Sequence, residues 1–262
     1  MLKAFSLKAL AAALAGALWW ALPPALGLPA AAAVMLATIA LFAWHITHPA
    51  SQFFVPVVSR LGVDAPVVAL TFDDGPDPVF TPQILDLLRA HGARATFFVL
   101  GARAAAHPEL IQRMAAEGHS VGTHTQHHRL RFHFGTAAYV RREIEDANAV
   151  VHGILRGRPR WFRPPQGLRT PCFASGFRKL QGLTCVTWSA RGLDSRPTTA
   201  AAIVARLAPR LLPGAILTLH DGTGLLGGTD RTPTLEALSV LLRTCQERGL
   251  RCVALDEVER AP

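Results

Sequence analysis

Between Ala9 and Trp44 lie 36 residues without a single Lys, Arg, Asp, Glu or His. A helix crossing the hydrocarbon core of a bilayer needs about 20 apolar residues, so this run has room for nearly two crossings. Pro23-Pro24 divides it into segments 4–22 and 25–44. Trp19, Trp20 and Trp44 fall near the segment ends, where indole rings favour the lipid–water boundary. A secretory signal peptide would account for the first segment, with Lys3 and Lys8 as its basic start and Ala9–Leu22 as its apolar stretch. It would leave the second unexplained. Residues 1–50 are therefore expected to form a hydrophobic membrane anchor of two helices, with membrane lipid as partner.

Which side of the membrane the rest occupies stays open. Lys3, Lys8 and Arg60 share one side of a helical hairpin, and the positive-inside rule puts that side in the cytoplasm. The even set Cys172, Cys185, Cys245 and Cys252 is compatible with disulfides and an oxidising compartment, and equally with four small buried thiols.

Residues 51–63 read as a linker, and residues 64–262 as one domain of alternating strands and helices. Apolar or β-branched runs predict strands at Val67–Phe72, Ala95–Leu100, Ser120–Thr123, Arg160–Arg163, Thr184–Trp188, Ala215–Leu219 and Cys252–Leu255. Helical patterns fall between them at Thr81–Ala90, Pro108–Glu117, Thr136–Leu155, Pro171–Leu180, Thr198–Ala208 and Thr232–Glu247. Thr81-Pro82 and Thr232-Pro233 resemble helix starts, a capping hydroxyl followed by proline in the first turn. Seven strands alternating with six helices indicate a parallel α/β fold, with a barrel among its forms.

Lys and Arg exceed Asp and Glu by 27 − 18 = 9. That excess is dispersed, mostly as single arginines. No basic run exceeds two residues, zinc-finger spacing is missing and there is one Tyr, so nucleic acid is excluded as a partner.

In parallel α/β folds chemistry gathers at the carboxyl ends of the strands. Just past the predicted strands stand Asp73-Asp74, then His124 and His128, then Arg163, Trp188 and His220-Asp221. Five strands thus deliver polar or titratable groups to one rim. Adjacent carboxylates near an apolar strand end repel unless a cation compensates, although Gly-Pro-Asp-Pro also suits a solvated acidic turn. His124 and His128, four apart, share a face if they lie on a helical turn and can then grip one metal ion. With a carboxylate they complete a two-histidine, one-carboxylate set with positions left open for water, a catalytic pattern for zinc that also admits other divalent ions.

The Thr71–Pro78 segment, followed by His124-Thr-x-x-His128, resembles the polysaccharide deacetylase family, also called the NodB-homology domain or carbohydrate esterase family 4. The resemblance extends from about Val67 to Leu255. It implies an incomplete (β/α)7 barrel and an enzyme that removes N- or O-acetyl groups from amino sugars with one divalent metal ion. By the same resemblance Asp73 is the general base, and Asp74, His124 and His128 are the metal ligands. Arg163-Pro-Pro-Gln-Gly167 is similar to the segment whose Arg holds the base. Its fourth residue, usually aromatic, is Gln166 here, and its backbone N–H would serve the oxyanion. Trp188–Asp194 is similar to a further segment, with Arg191 where an Asp is usual, Ser195 where a Trp is usual, and Asp194 retained, expected to orient Arg163. Leu217–Asp221 supplies His220 as general acid, with Thr218 where a Leu is usual.

The resemblance implies an N-acetylated glycan as substrate, a hydrolase of carbon–nitrogen bonds and a bacterial inner-membrane location. A lipid-linked sugar carrying a formyl or other small acyl group is the variant that the anchor motivates. A catalytically weakened carbohydrate-binding relative is the variant that Gln166, Arg191 and Thr218 motivate.

Overall fold

A computed structural model describes residues 2–223 and 230–259. The first and last residues of the expected anchor and domain, Met1 and 260–262, and the internal stretch 224–229 lie outside the described residues.

Two helices come first, α1 (Leu2–Ala21) and α2 (Pro24–Thr47), packed against each other. Pro23 precedes α2 in an extended conformation and Pro24 opens it, as suits a residue with no N–H to leave unpaired. Two helices were expected here. Among the described residues only α2, with 24 residues and a mean hydropathy of 2.1 over its most apolar stretch, is long and apolar enough to cross a membrane. The apolar part of α1, Ser6–Ala21, is shorter.

The remaining elements are β1 (Val67–Asp73), α3 (Phe80–Ala90), β2 (Ala95–Val99), α4 (Gly101–Ala106), α5 (Pro108–Ala116), β3 (Ser120–Thr123), α6 (Ala137–Leu155), β4 (Trp161–Phe162), α7 (Pro171–Phe177), β5 (Thr184–Cys185), β6 (Ala190–Arg191), α8 (Ala200–Leu207), β7 (Ile216–His220), α9 (Thr232–Glu247), β8 (Arg251–Cys252) and α10 (Leu255–Glu259). All strand pairs are parallel, in the order β5-β4-β3-β2-β1-β7-β6, with β8 on the start of β1. The sheet curls into a half-barrel.

β1 is buried along its whole length and so reads as a mostly apolar run, broken by Thr71 and ended by Asp73. Its alternation sorts the side chains. Val68, Leu70 and Phe72 join Ile84, Leu88, Leu238 and Leu242 in the layer between sheet and helices. Ala69 joins Phe98, Trp161, Trp188 and Ile216 inside the barrel. Thr71 and Asp73 follow Ala69 at period two, so the barrel interior turns polar toward the rim.

Two expected strands differ. The run 184–188 was expected as one strand, but only Thr184–Cys185 pairs with β4; the chain then crosses the open side of the barrel and resumes as β6 against β7. The seventh strand was expected at 252–255. It ends at Cys252 because β2 already holds the remainder of that edge of β1, from Leu70 onward. The start of α3 differs too, while α9 begins at Thr232-Pro233 as expected. Asp77 Oδ1 accepts from the N–H groups of Val79 and Phe80, so Asp77 and not Thr81 satisfies the start of α3.

Residues 51–63, expected to be a linker, are packed against the domain. Phe54, Val55 and Leu61 are buried, Val58 bridges to Val186, and Arg60 bridges to Ala215. The four cysteines are free thiols. Burial pushes the Cys185 thiol up to about 12.

Candidate active site

The end of β1 brings the first two carboxylates into the rim. In an extended strand Asp73 and Asp74 would point to opposite faces. Asp74 instead takes a left-handed φ of 73°, tolerated by Asp better than by most side chains, and this turns both carboxylates to the same site. The turn is held from behind: Arg103 Nη1 donates to the Asp74 carbonyl at 3.0 Å. Gly75 lies directly over the Asp221 carboxyl, where a Cβ would fall 1.9 Å from Oδ2.

His124 and His128 follow β3. They do not sit on a helical turn, one arrangement in which residues four apart share a face; Thr125 (φ 76°) and His128 (φ 54°) are left-handed and fold the segment into an irregular loop. The two imidazoles still converge, with ring centroids 5.1 Å apart. His124 Nδ1 donates to the Arg163 carbonyl at 2.7 Å, which fixes the tautomer and leaves Nε2 as a lone-pair donor. That Nε2 is 3.6 Å from Asp74 Oδ1, and His128 Nε2 is 3.5 Å from the same oxygen. The three candidate donor atoms lie within 4.8 Å of one another, all buried. Asp74 Oδ1 has no hydrogen-bond partner. A buried, unpartnered carboxylate oxygen facing two imidazoles is costly unless a cation joins them. The donor set fits one divalent ion with positions left open. Burial and the neighbouring His128 also hold His124 well below its usual value, in the neutral form a ligand requires.

Asp73 is held by a fully buried Arg163. Nη1 donates to Asp73 Oδ1 and to Thr71 Oγ1, both at 2.7 Å, and Nη2 donates to the Thr187 carbonyl at 2.8 Å. The guanidinium lies 4.1 Å from the Phe98 ring centroid. Burial raises the Asp73 carboxyl above its usual value against the pull of Arg163. A general base is better poised there than in free solution.

His220 ends β7, in register with Asp73. Asp194 was expected to orient Arg163; the structure places it on His220 instead. Oδ1 accepts from His220 Nδ1 at 2.8 Å, and Oδ2 accepts from the His220 backbone N–H at 2.8 Å and from Thr234 Oγ1 at 2.9 Å. Burial pulls His220 down, but the Asp194 charge and hydrogen bond, reinforced by Asp74 and Asp73, hold it up at about 9. The site therefore contains two opposed devices, an arginine on an aspartate and an aspartate on a histidine.

Gln166 lies on the loop after β4, exposed, with a left-handed φ of 49°. The side chain accepts from His133 Nε2 at 2.6 Å. Thr218 is buried behind the site, its Oγ1 3.3 Å from that of Thr71. Arg191 is exposed, 5.8 Å from the Trp188 ring centroid.

Sequence reasoning gave no role to Thr71, Thr187 or Thr234, and placed Asp221 at the rim without one. Thr71 had a signal, since it stands two residues before Asp73 on a strand and so shares its face. Asp221 had a weaker one as His220's neighbour. Burial raises its carboxyl to about 7, while Thr81 Oγ1 donates to Oδ2 at 2.6 Å.

The sequence profile of the family described as polysaccharide deacetylase matches residues 61–181. A chitooligosaccharide deacetylase of Sinorhizobium fredii is 40% identical over 202 residues, 75% of this chain and 93% of the relative. A peptidoglycan-N-acetylglucosamine deacetylase of Bacillus cereus is 35% identical, over 74% of this chain and 88% of its own. Among solved structures, a family 4 acetyl xylan esterase from Clostridium thermocellum in complex with a cobalt ion has a TM-score of 0.65. It is 33% identical, covering 73% of this chain and 89% of its own. The chain belongs to the polysaccharide deacetylase family, carbohydrate esterase family 4, and is a hydrolase of that family.

Proposed function

We propose that this enzyme removes N-acetyl groups from amino sugars of a chito-oligosaccharide- or peptidoglycan-like glycan. The observation that carries the reading is the pairing across adjacent strands. Asp73, held on one oxygen by Arg163, stands in register with His220, held on Nδ1 by Asp194. One group is set to accept a proton and the other to give one.

Asp73 Oδ1 is occupied by Arg163, so Oδ2 takes the proton of the attacking water. His220 has Nδ1 committed to Asp194 and delivers its proton from Nε2 to the departing amine, otherwise a poor leaving group. The Gln166 backbone N–H is the proposed donor to the oxyanion, an interaction type whose loss typically costs about 10²–10³ in rate. Asp74, His124 and His128 hold the divalent ion; two imidazoles with one carboxylate suit Zn2+ and admit other divalent ions. That ion supplies Lewis-acid polarisation of the acyl carbonyl and a lowered pKa for the attacking water.

The apolar helix α2 favours a location in the bacterial inner membrane, held there by lipid. It also supports a second reading, a deformylase or deacylase of a lipid-linked amino sugar. Mass spectrometry of products from chito-oligosaccharides, peptidoglycan fragments and lipid-linked amino sugars decides between them. Acetate release from the first two supports the main reading, and acyl release confined to the lipid-linked set replaces it. No acyl release from any member, with a divalent ion supplied, refutes both.

A further inference from the structure

Arg169 is 1% exposed, and among the described residues no carboxylate pairs with it. A buried guanidinium without a counter-ion must find other acceptors. It finds them at the end of α2. Nη2 donates to the His48 carbonyl and, at 3.5 Å, to that of His45, while the Arg169 backbone N–H donates to the Ile46 carbonyl at 3.1 Å. The last carbonyls of a helix have no intrahelical partners and carry its partial negative charge. Arg169 therefore caps α2 from a distant part of the chain. Its Nη1 donates to the Gly167 carbonyl, beside Gln166.

A second latch lies alongside. Thr187 Oγ1 donates to the Pro49 carbonyl at 2.8 Å, and the Thr187 carbonyl accepts from Arg163 Nη2 at 2.8 Å. Aromatic contacts close the joint: His45 stacks on Phe53 at 4.3 Å, and Phe42 meets Phe53 and Phe54, each at 5.9 Å. One latch ends on the loop carrying Gln166, the other on the arginine that holds Asp73.

We propose that Arg169 is a positioning residue that docks the carbonyl end of α2 onto the 163–169 loop, making the end of the apolar helix part of the catalytic apparatus. Gln166 in its left-handed conformation and Arg163 against Asp73 both draw their placement from residues 45–49. The catalytic consequence rests on the deacetylase reading; the mechanical coupling does not.

The test uses the full chain in detergent micelles with a divalent ion bound. Arg169→Ala is expected to lower kcat for acetate release about 10- to 100-fold with KM within about twofold, the scale of a small misplacement of catalytic groups. Methylguanidinium added at millimolar concentration restores a measurable part of kcat. Arg158→Ala, which removes an exposed arginine elsewhere, changes neither parameter. Hydrogen–deuterium exchange of Arg169→Ala shows residues 45–51 and 164–170 exchanging faster together, with β1 and β7 unchanged. Unchanged exchange in both segments overturns the coupling. Faster exchange with unaltered kcat overturns the positioning role. A wild-type chain inert on every amino sugar refutes the deacetylase reading, while the exchange experiment still decides the coupling.

Discussion

Asp194→Asn tests the proposed acid directly. Asp194 is buried, and both carboxylate oxygens serve His220, one through Nδ1 and one through the backbone N–H. Its charge is the largest influence raising His220, which would otherwise be lowered by burial. The substitution keeps shape and one acceptor but removes the charge, so His220 falls from about 9 to its ordinary value or below. Taking about 6.5 for the variant, the protonated fraction at about pH 8 drops from about 0.9 to about 0.03, a loss of about 30-fold. At about pH 6 the same change costs less than about twofold. An ion at Asp74 shifts both proteins the same way and leaves their separation largely in place. Initial rates of acetate release across pH 5.5–9.5 read the effect: the alkaline limb of kcat moves toward acid by about 2.5 units while the acid limb, assigned to Asp73, stays. A uniform loss at every pH would refute the assignment of His220 as an acid tuned by Asp194. Stability carries the same sign. A group raised in the folded state stabilises most below its unfolded value, so the His220–Asp194 contribution fades as pH rises through about 9.

Three further outcomes follow from the geometry. Asp74→Ala should abolish divalent-ion binding in isothermal titration calorimetry, whereas Asp73→Asn should keep the ion and lose turnover; retained turnover in the latter removes Asp73 as the base. Gly167 has a φ of 68°, and a Cβ there would fall 2.3 Å from Trp188 Cη2. Gly167→Ala should therefore cost about 2–4 kcal/mol in urea unfolding, from left-handed strain together with overpacking. Burial lowers His119 to about 4, and its Nδ1 accepts from the Ala95 N–H at 3.1 Å. Stability should fall as pH drops from about 6.5 toward 4, where the unfolded chain binds the proton that the fold resists. His119→Asn, which can accept the same N–H, should flatten that part of the profile.

The rim was legible because a parallel strand buried on both faces announces itself as an apolar run, and its end shows as the first charged residue. Asp73, Asp74, His124, Arg163 and His220 were found in that way. What the sequence did not reveal depends on contacts between distant segments. The partner of Asp194 was misassigned because His220 lies on another strand and reaches it only once β6 and β7 pair. The loop holding His128 could not be read from a four-residue spacing, which fits a helix as well as the left-handed turns observed. The break after Cys185 arises from the barrel's open side, and the early end of β8 from occupancy of an edge by β2. Neither has a local signature. Arg169 looked like one more dispersed arginine.

The packing of residues 51–63 determines how far the enzyme can reach. Thirteen residues of flexible chain would have a root-mean-square span of about 20 Å and let a tethered domain sample a broad volume. Here that length is consumed in contacts with the barrel, and the chain passes from α2 into the domain without slack. With α2 in a bilayer, the rim stands at one height and one tilt above the lipid. The joint would then act as a ruler. Which sugars of a glycan are processed would then depend on their distance from the surface as well as on their chemistry, and lengthening the joint by a few residues would shift the band that is reached.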